Sequence, residues 1–174
     1  KVGYTDFDAN ETYLGLAEAD ILAAPFRRYA ATRFDNIASE HMRSFLRHTL
    51  GDLETDYLSL TSTLYYNTFH RNWQKLNDVQ DVDSDGDGTP NPGNNSSLSR
   101  ALAGNLGGTA LDVLQGNRAG VLRVRNNNRS YGLWGYDLVA SALFSGVVAD
   151  HTLSVGLRYH EDYIRRFQRD ERFT

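Results

Sequence analysis

The run Asp81-Val-Asp83-Ser-Asp85-Gly86-Asp87-Gly88 sets carboxylates at alternate positions ahead of glycine. Alternate carboxylates on a tightly turning backbone gather oxygens around a hard cation such as calcium, and glycine permits the sharp turn. Asp81 and Asp83 each begin a D-x-D-x-D-G pattern, whose twelfth position is then Pro92 or Asn94. Neither supplies the bidentate acid of an EF-hand. Calcium held by Asp81, Asp83, Asp85 and Asp87 is therefore expected to bind weakly, as extracellular modules do. The same residues read equally well as a solvated acidic connector rich in Gly, Asn and Pro.

The second chemical set is cationic: Arg27, Arg28, Arg43, Arg47, Arg71, Arg125, Arg129 and Arg158, with His160 alongside and Arg118 and Arg123 nearby. Guanidinium forks grip carboxylates in pairs of hydrogen bonds, so converging arginines would attract and clamp an anionic ligand. Taken singly, each arginine is better read as the partner of an acid on a neighbouring segment. Lysine occurs only at Lys1 and Lys75 among 18 basic residues. Arginine is the easier of the two to bury and the better fit to a lined cavity.

Catalysis is not expected. Metalloprotease, nucleophile-elbow and phosphate-loop patterns are missing. Glu40 precedes His41, and His160 precedes Glu161, but adjacent residues on a strand point to opposite faces. Cysteine is absent, which removes disulfides, thiolate nucleophiles and Cys-ligated metal sites. The 22 acids outnumber the 18 bases, giving a net charge of −4, so nucleic acid is not an expected partner. With 10 Tyr, 8 Phe and 2 Trp in 174 residues, the chain carries enough aromatic bulk to exclude a disordered tail. Lys1 enters mid-pattern and Thr174 ends in a charged stretch, so the chain reads as a piece of something larger.

The elements that must position these groups are strands. From Tyr57 to His70 the even positions are Leu58, Leu60, Ser62, Leu64, Tyr66, Thr68 and His70, and the odd ones are mainly Ser, Thr, Tyr and Asn. In His151–Tyr163, Leu153, Val155, Leu157, Tyr159 and Tyr163 oppose Thr152, Ser154, Gly156, Arg158, His160 and Asp162. In Ser130–Phe144, Trp134, Tyr136, Leu138, Ala140, Ala142 and Phe144 oppose Asp137 and Ser141. Asn36–Leu50 is weaker: Met42, Leu46 and Leu50 oppose His41, Arg43 and Arg47, with Phe45 out of phase. A period of two is the mark of a strand with one apolar face. Each run spans roughly 12–16 residues, against about 5–6 in an ordinary globular strand. The expected strands lie near 36–50, 55–72, 130–144 and 151–166, with long connections near 5–34 and 73–129 and short ones between. Within the longer connection, Ser97–Leu106 reads as a short helix and Gly107-Gly108 as its break. Thr109–Leu114 reads as a second short helix, with Gly116 just past its end, and Arg118–Arg129 as an extended return.

Long one-sided strands joined by alternately short and long links suit a membrane barrel, with short periplasmic turns and long extracellular loops. Tyr65, Tyr66, Phe69 and Trp73, with Tyr131, Trp134, Tyr136, Tyr159 and Tyr163, gather at the expected outer ends. An aromatic girdle at the membrane boundary has that composition. The fold expected is therefore all-β: an antiparallel transmembrane β-barrel segment with long extracellular loops, occupying 1–174 as part of a larger barrel.

Several runs carry a family resemblance. Asn10-Glu-Thr-Tyr-Leu-Gly-Leu16, Ala24-Pro-Phe-Arg-Arg-Tyr-Ala-Ala31 and Leu64-Tyr-Tyr-Asn-Thr-Phe-His-Arg-Asn-Trp73 with Lys75-Leu76 are three of them. Arg125-Asn-Asn-Asn-Arg129 and Val155-Gly-Leu-Arg-Tyr-His-Glu-Asp162 with Arg166-Phe167 complete the set. In order and spacing the chain resembles the barrel of TonB-dependent outer-membrane receptors of the ferric-dicitrate type. The resemblance implies a 22-stranded barrel, an N-terminal plug, residence in the outer membrane of a Gram-negative bacterium, and lipid as a partner. It also implies uptake of a ferric chelate, a siderophore or an iron-dicitrate-like anion, driven by the TonB complex. Plug, TonB box and closing strands are not seen in this sequence, and no ligand residue carries over from the matched runs. No cofactor is required on this reading, calcium in the outer loop aside. The alternative is a calcium-stabilised extracellular β-domain that binds a protein or glycan partner.

Overall fold

The computed structural model describes residues 1–53, 57–83, 85, 87–91, 95–104 and 109–174. Strands hold 59% of the chain and form one open, mostly antiparallel sheet, so the all-β class holds. In chain order the elements are β1 (Val2–Ala9), α1 (Glu18–Ala23), a 3-10 turn (Ala30–Thr32), β2 (Asn36–Leu50) and β3 (Leu58–Gln80). Then follow β4 (Asn95–Ser96), α2 (Leu98–Leu102), α3 (Thr109–Gln115), β5 (Val121–Ser145) and β6 (Asp150–Phe173). The sheet order is β1-β2-β3-β5-β6, with the two-residue β4 pairing off β3 through Val79 opposite Ser96 and Gln80 opposite Asn95. Consecutive long strands are therefore neighbours, as short links favour.

β2 covers the span that its alternation predicts. The others run further, to 23 residues in β3, 25 in β5 and 24 in β6. Residues 73–80, expected as loop, continue β3; residues 121–129, expected as the extended return of the long connection, are the start of β5; and 167–173 continue β6. The period of two fades there because apolar and polar side chains mix on both faces, with Leu76, Val79 and Val124 buried as well as Asp78, Gln80 and Asn127, while the backbone ladder continues without that pattern. β1 likewise takes up the start of the expected 5–34 connection. Positions 55 and 56 of the expected second strand lie outside the described residues, as do Leu106, Gly107 and Gly108. Helix α3 ends on Gly116, whose φ of 83° is left-handed. The Asn117 N–H donates to the Asp112 carbonyl at 2.8 Å and the Gly116 N–H to the Val113 carbonyl at 3.1 Å. That pair of bonds is a Schellman cap, which satisfies the last carbonyls and needs glycine at this position.

The chain divides into two compact units. The first comprises Lys1–Asp6, Glu40–His70 and Arg129–Arg165. Its only buried positions among the described residues are Gly132 and Gly135, so this unit is one layer of sheet with no apolar core. One face joins polar groups across strands: Thr49 to Thr61 at 3.3 Å, Ser141 to Ser154 at 2.8 Å, and the Arg158 guanidinium to Asp137 at 2.5 Å. The other carries the apolar residues of the alternation. Leu46, Leu58, Leu64, Phe144, Val155 and Leu157 on it are 50–69% exposed.

The second unit comprises Phe7–Ser39, Arg71–Asn128 and Arg166–Thr174, and it holds the buried core. Leu98 and Ala101 of α2 and Ala110, Val113 and Leu114 of α3 pack with Leu76, Val79, Val82, Val124, Tyr29 and Ala31. Apolar spacing of three and four residues sends one side of each short helix inward. Burying each large side chain contributes about 1.5–3 kcal/mol, which short helices need because alone they are unstable. Phe34 stacks on Phe173 at 4.6 Å at the edge of this core.

Candidate functional site

In the first unit the polar face holds Arg43, Arg47, Arg129, Arg158 and His160. Arg158 is bidentate on Asp137, through Nε at 2.5 Å and Nη2 at 3.3 Å. Arg47 and Arg158 line a cavity of about 520 Å³ with Thr61, Thr63, Asp137 and Gly156. Arg43 runs along the backbone of Gly3, where an added Cβ would stand 3.1 Å from its Nε. Arg129 reaches the Tyr131 hydroxyl at 3.5 Å. His160 Nδ1 meets the Tyr65 hydroxyl at 3.1 Å, and its Nε2 lies 3.9 Å from Asp162. Beyond this pair, His41, Phe69 and Tyr131 make a ring cluster, with centroids 5.8 and 5.7 Å apart.

Tyr65, Phe69 and Tyr131 are thus drawn to the polar face and do not belong to an outward girdle. Their odd positions put them there, opposite Tyr66, Trp134, Tyr136, Tyr159 and Tyr163, which are exposed. Two glycines make room for rings. At Gly132 a Cβ would come within 2.4 Å of the Tyr163 ring, and at Gly135 within 2.2 Å of the Tyr65 hydroxyl and 2.7 Å of the Tyr159 carbonyl oxygen. The carbonyl cannot swing aside as a side chain can. Gly135→Val is expected to cost about 1–3 kcal/mol by overpacking. It should also eject the Tyr65 phenol, read as loss of the Tyr65–His160 hydrogen bond in the His160 NMR shifts.

In the second unit Arg27, Arg28, Arg71 and Arg125 do not converge on one point. Arg27 pairs with Asp20 at 2.9 Å. Asp20 also accepts from the Tyr29 hydroxyl at 2.6 Å and from Gln115 at 2.9 Å. The hydrogen bond from Tyr29, then that from Gln115, hold the Asp20 carboxyl below its ordinary pKa, and burial first and then Asp20 push the Tyr29 phenol up. Arg28 clamps backbone, donating to the Asn10 carbonyl at 2.8 Å, the Asp35 carbonyl at 3.2 Å and the Thr32 hydroxyl at 3.0 Å. Arg125 grips Asp170 through Nε at 2.7 Å and Nη2 at 3.0 Å, while Arg123 bridges Asp78 and Asp170.

Arg71 differs from these. Its guanidinium carbon lies 5.7 Å from the Trp73 ring centroid. Lys75, a residue that motif reading missed, places its ammonium 4.5 Å from the same centroid and 4.2 Å from that of Tyr13. Tyr13 meets Trp73 edge-on at 5.9 Å and donates its hydroxyl proton to the Leu76 carbonyl at 2.8 Å. The spacing Arg71-x-Trp73-x-Lys75 was the available signal, since alternate residues of a strand share a face. Tyr13 comes from a distant segment and leaves no local trace.

In the acidic loop, carboxylate oxygens of Asp83, Asp85 and Asp87 lie within 4.8 Å of one another, and Asp81 is not of this group. Asp81 takes a left-handed φ of 52°, which aspartate tolerates. Asp83 is buried and accepts the Gly88 N–H at 2.9 Å, while Asp87 accepts from the Thr89 hydroxyl at 2.6 Å. The oxygen set suits a hard cation, although internal donors already engage part of it. Gly86, Pro92 and Asn94 lie outside the described residues.

Among the described residues no helix is long and apolar enough to cross a membrane, which leaves crossing by strands open. The chain matches no protein-family model, no curated protein and no solved structure.

Proposed function

We propose that the chain is a segment of an outer-membrane TonB-dependent receptor that takes up a ferric chelate, its strands forming part of a barrel wall. The observation that carries this reading is the uncovered apolar face of the first unit. A sheet in water hides its greasy face under a second layer, as the second unit hides its own residues in a core. Here, among the described residues, no such layer covers Leu46, Leu58, Leu64, Phe144, Val155 and Leu157, though the opposite face is knit by hydroxyls and an ion pair. Lipid hydrocarbon on one side and an enclosed aqueous lumen on the other satisfy both faces. The long connections would then face outside and the short ones the periplasm. Transport needs no catalytic group: an anionic chelate binds at the mouth, and the lumen passes it inward when the TonB complex acts through other parts of the receptor.

The Asp83, Asp85 and Asp87 cluster favours a second reading, a calcium-stabilised extracellular β-domain that binds a protein or glycan partner. One experiment separates the two. On the receptor reading the protein aggregates when detergent is withdrawn, co-floats with lipid vesicles, and changes its melting temperature by less than about 2 °C on calcium addition, because a weak site near its own Kd stabilises by well under 1 kcal/mol. A monodisperse detergent-free protein whose melting temperature rises strongly with calcium would overturn it.

A further inference from the structure

We propose that the cleft between Tyr4 and Tyr163, on the apolar face of the first unit, binds the sugar headgroup of a glycolipid. The inference goes beyond uptake, and it rests on the receptor reading for lipid as the medium around that face. Contacts between strands fix which side chains share the face. Lys1 and Phe45 exchange hydrogen bonds between their main-chain nitrogens and carbonyls at 2.8 and 2.9 Å, so Tyr4 stands opposite Met42. The Tyr163 ring lies over Gly132. Thr68, His70 and Ser130 have the parity of Leu64 and Trp134. On this face the Trp134 indole N–H donates to the Glu161 carboxylate at 3.2 Å, and the Tyr159 ring lies beside the indole with centroids 5.2 Å apart. To one side of that group the face carries Leu58, Leu60 and Leu64. To the other it carries Glu40, Thr68, His70 and Ser130. A carboxylate held by an indole marks where hydrocarbon gives way to headgroups, because rings with a polar edge belong at that boundary.

The cleft lies on the headgroup side of this line and encloses about 330 Å³. Sites for small ligands start at roughly that size, with apolar walls and a few polar groups. Tyr4 and Tyr163 are 65% and 51% exposed, so their rings are open to a ligand. Between them Glu40, Thr68, His70 and Ser130 supply a carboxylate, hydroxyls and an imidazole. Among the described residues Glu40 has no cation in ion-pair range. Its field and that of Asp6 reach the Tyr4 phenol. At the other end the Arg165 guanidinium sits 5.5 Å from the Tyr163 ring centroid. Acid at one end and a cation at the other disfavour a headgroup of either single sign. A sugar is uncharged. It offers C–H faces to aromatic rings and a rim of hydroxyls to polar groups, and Glu40 accepts such hydroxyls with its full charge. The acyl chains of the same molecule would run along the rows that hold Leu64 and Leu60. Those rows select a lipid-linked sugar over a free one.

The test is carried out on the full receptor in detergent, by native mass spectrometry. The probes are a monohexosyl diacylglycerol, phosphatidylethanolamine and phosphatidylglycerol with the same acyl chains, and a methyl hexoside. The hexosyl lipid is expected to bind at least about fivefold more tightly than either phospholipid. The methyl hexoside should bind at least about a hundredfold more weakly than the hexosyl lipid, since it buries no acyl chain. Tyr163→Leu should lower affinity for the hexosyl lipid about fivefold, while Tyr163→Phe keeps the ring and stays within about twofold. Glu40→Gln should lower it about threefold. Neither Tyr163→Leu nor Glu40→Gln should weaken binding of phosphatidylglycerol. A phospholipid that matches the hexosyl lipid, a free hexoside that binds as tightly, or a Tyr163→Leu receptor that keeps the preference would overturn the proposal. The wild-type ranking depends on no variant's folding. A receptor that inserts in vesicles without ranking the lipids in this way refutes the cleft alone. A protein that stays soluble without detergent refutes the receptor reading, and with it the lipid as source of the sugar.

Discussion

On the receptor reading, Leu64→Arg is expected to abolish membrane assembly, while Thr63→Arg, one residue away, assembles nearly as wild type. Leu64 sits mid-strand on the apolar face and is 50% exposed. If that face meets hydrocarbon, an arginine near the bilayer midplane costs about 2–4 kcal/mol. Losses of that size are a large share of the roughly 5–15 kcal/mol that holds a folded protein together. Thr63 turns the other way and lines the cavity with Arg47 and Arg158. There a third guanidinium adds like charge, but water screens it and Asp137 is close, so the cost should stay below about 1 kcal/mol. The measurement is the yield of each variant in the outer-membrane fraction. Equal yields would show that the two faces do not meet different solvents.

The contrast between those neighbours was legible in the sequence because side chains alternate strictly along a strand. Leu58, Leu60, Leu64 and Tyr66 fall on one parity, and Thr61, Thr63 and Tyr65 on the other. The contacts Thr49–Thr61 and Tyr65–His160 keep to that division. What period could not reveal is where a strand stops. In 73–80 and 121–129 apolar and polar side chains share both faces, so the pattern fades while the ladder runs on. Nor could it pair charges. Arg125 with Asp170 and Arg123 with Asp78 join residues about 45 apart in sequence, and nothing local to either marks the partner. Trp73 reads as a boundary aromatic from its place in the chain. Only the approach of Tyr13 shows it to be a platform for cations.

The two units use the same kinds of residue to opposite ends, and the difference lies in what covers them. Val79, Leu76 and Val124 belong to the same long strands as Leu64 and Phe144, yet they are buried because α2, α3 and the 3-10 turn lie over them. Those covering elements come from the long connections. Their chain therefore gives the second unit its covering layer, and it must be fixed firmly to the strands for the core to stay dry.

Asp35 is one such fixing point, and Asp35→Leu should destabilise the second unit by about 2–5 kcal/mol. Its carboxylate accepts the Leu76 N–H of β3 at 2.6 Å and the Thr12 hydroxyl at 2.7 Å, and the residue is fully buried. Leucine would leave a buried backbone N–H and a hydroxyl unpaired, each worth about 1–3 kcal/mol. Asparagine keeps an acceptor for Leu76 and offers an N–H to Thr12, so Asp35→Asn should cost below about 1 kcal/mol. The pH dependence follows from the same burial. Burial raises the Asp35 pKa above its ordinary 3.8, against the opposing pull of the Thr12 and Leu76 hydrogen bonds and the charges of Arg28 and Lys75. The folded state then binds the proton more tightly than the unfolded one. Stability from this group is full at low pH, falls as pH rises from 3.8 through the folded pKa, and is flat above it. The Asn variant should lose that slope. Hydrogen exchange at the Leu76 amide reads both effects: fast in the Leu variant, slow and free of this pH-dependent step in the Asn variant. A Leu variant that kept Leu76 protected would show that the carboxylate does not fasten the connection to β3.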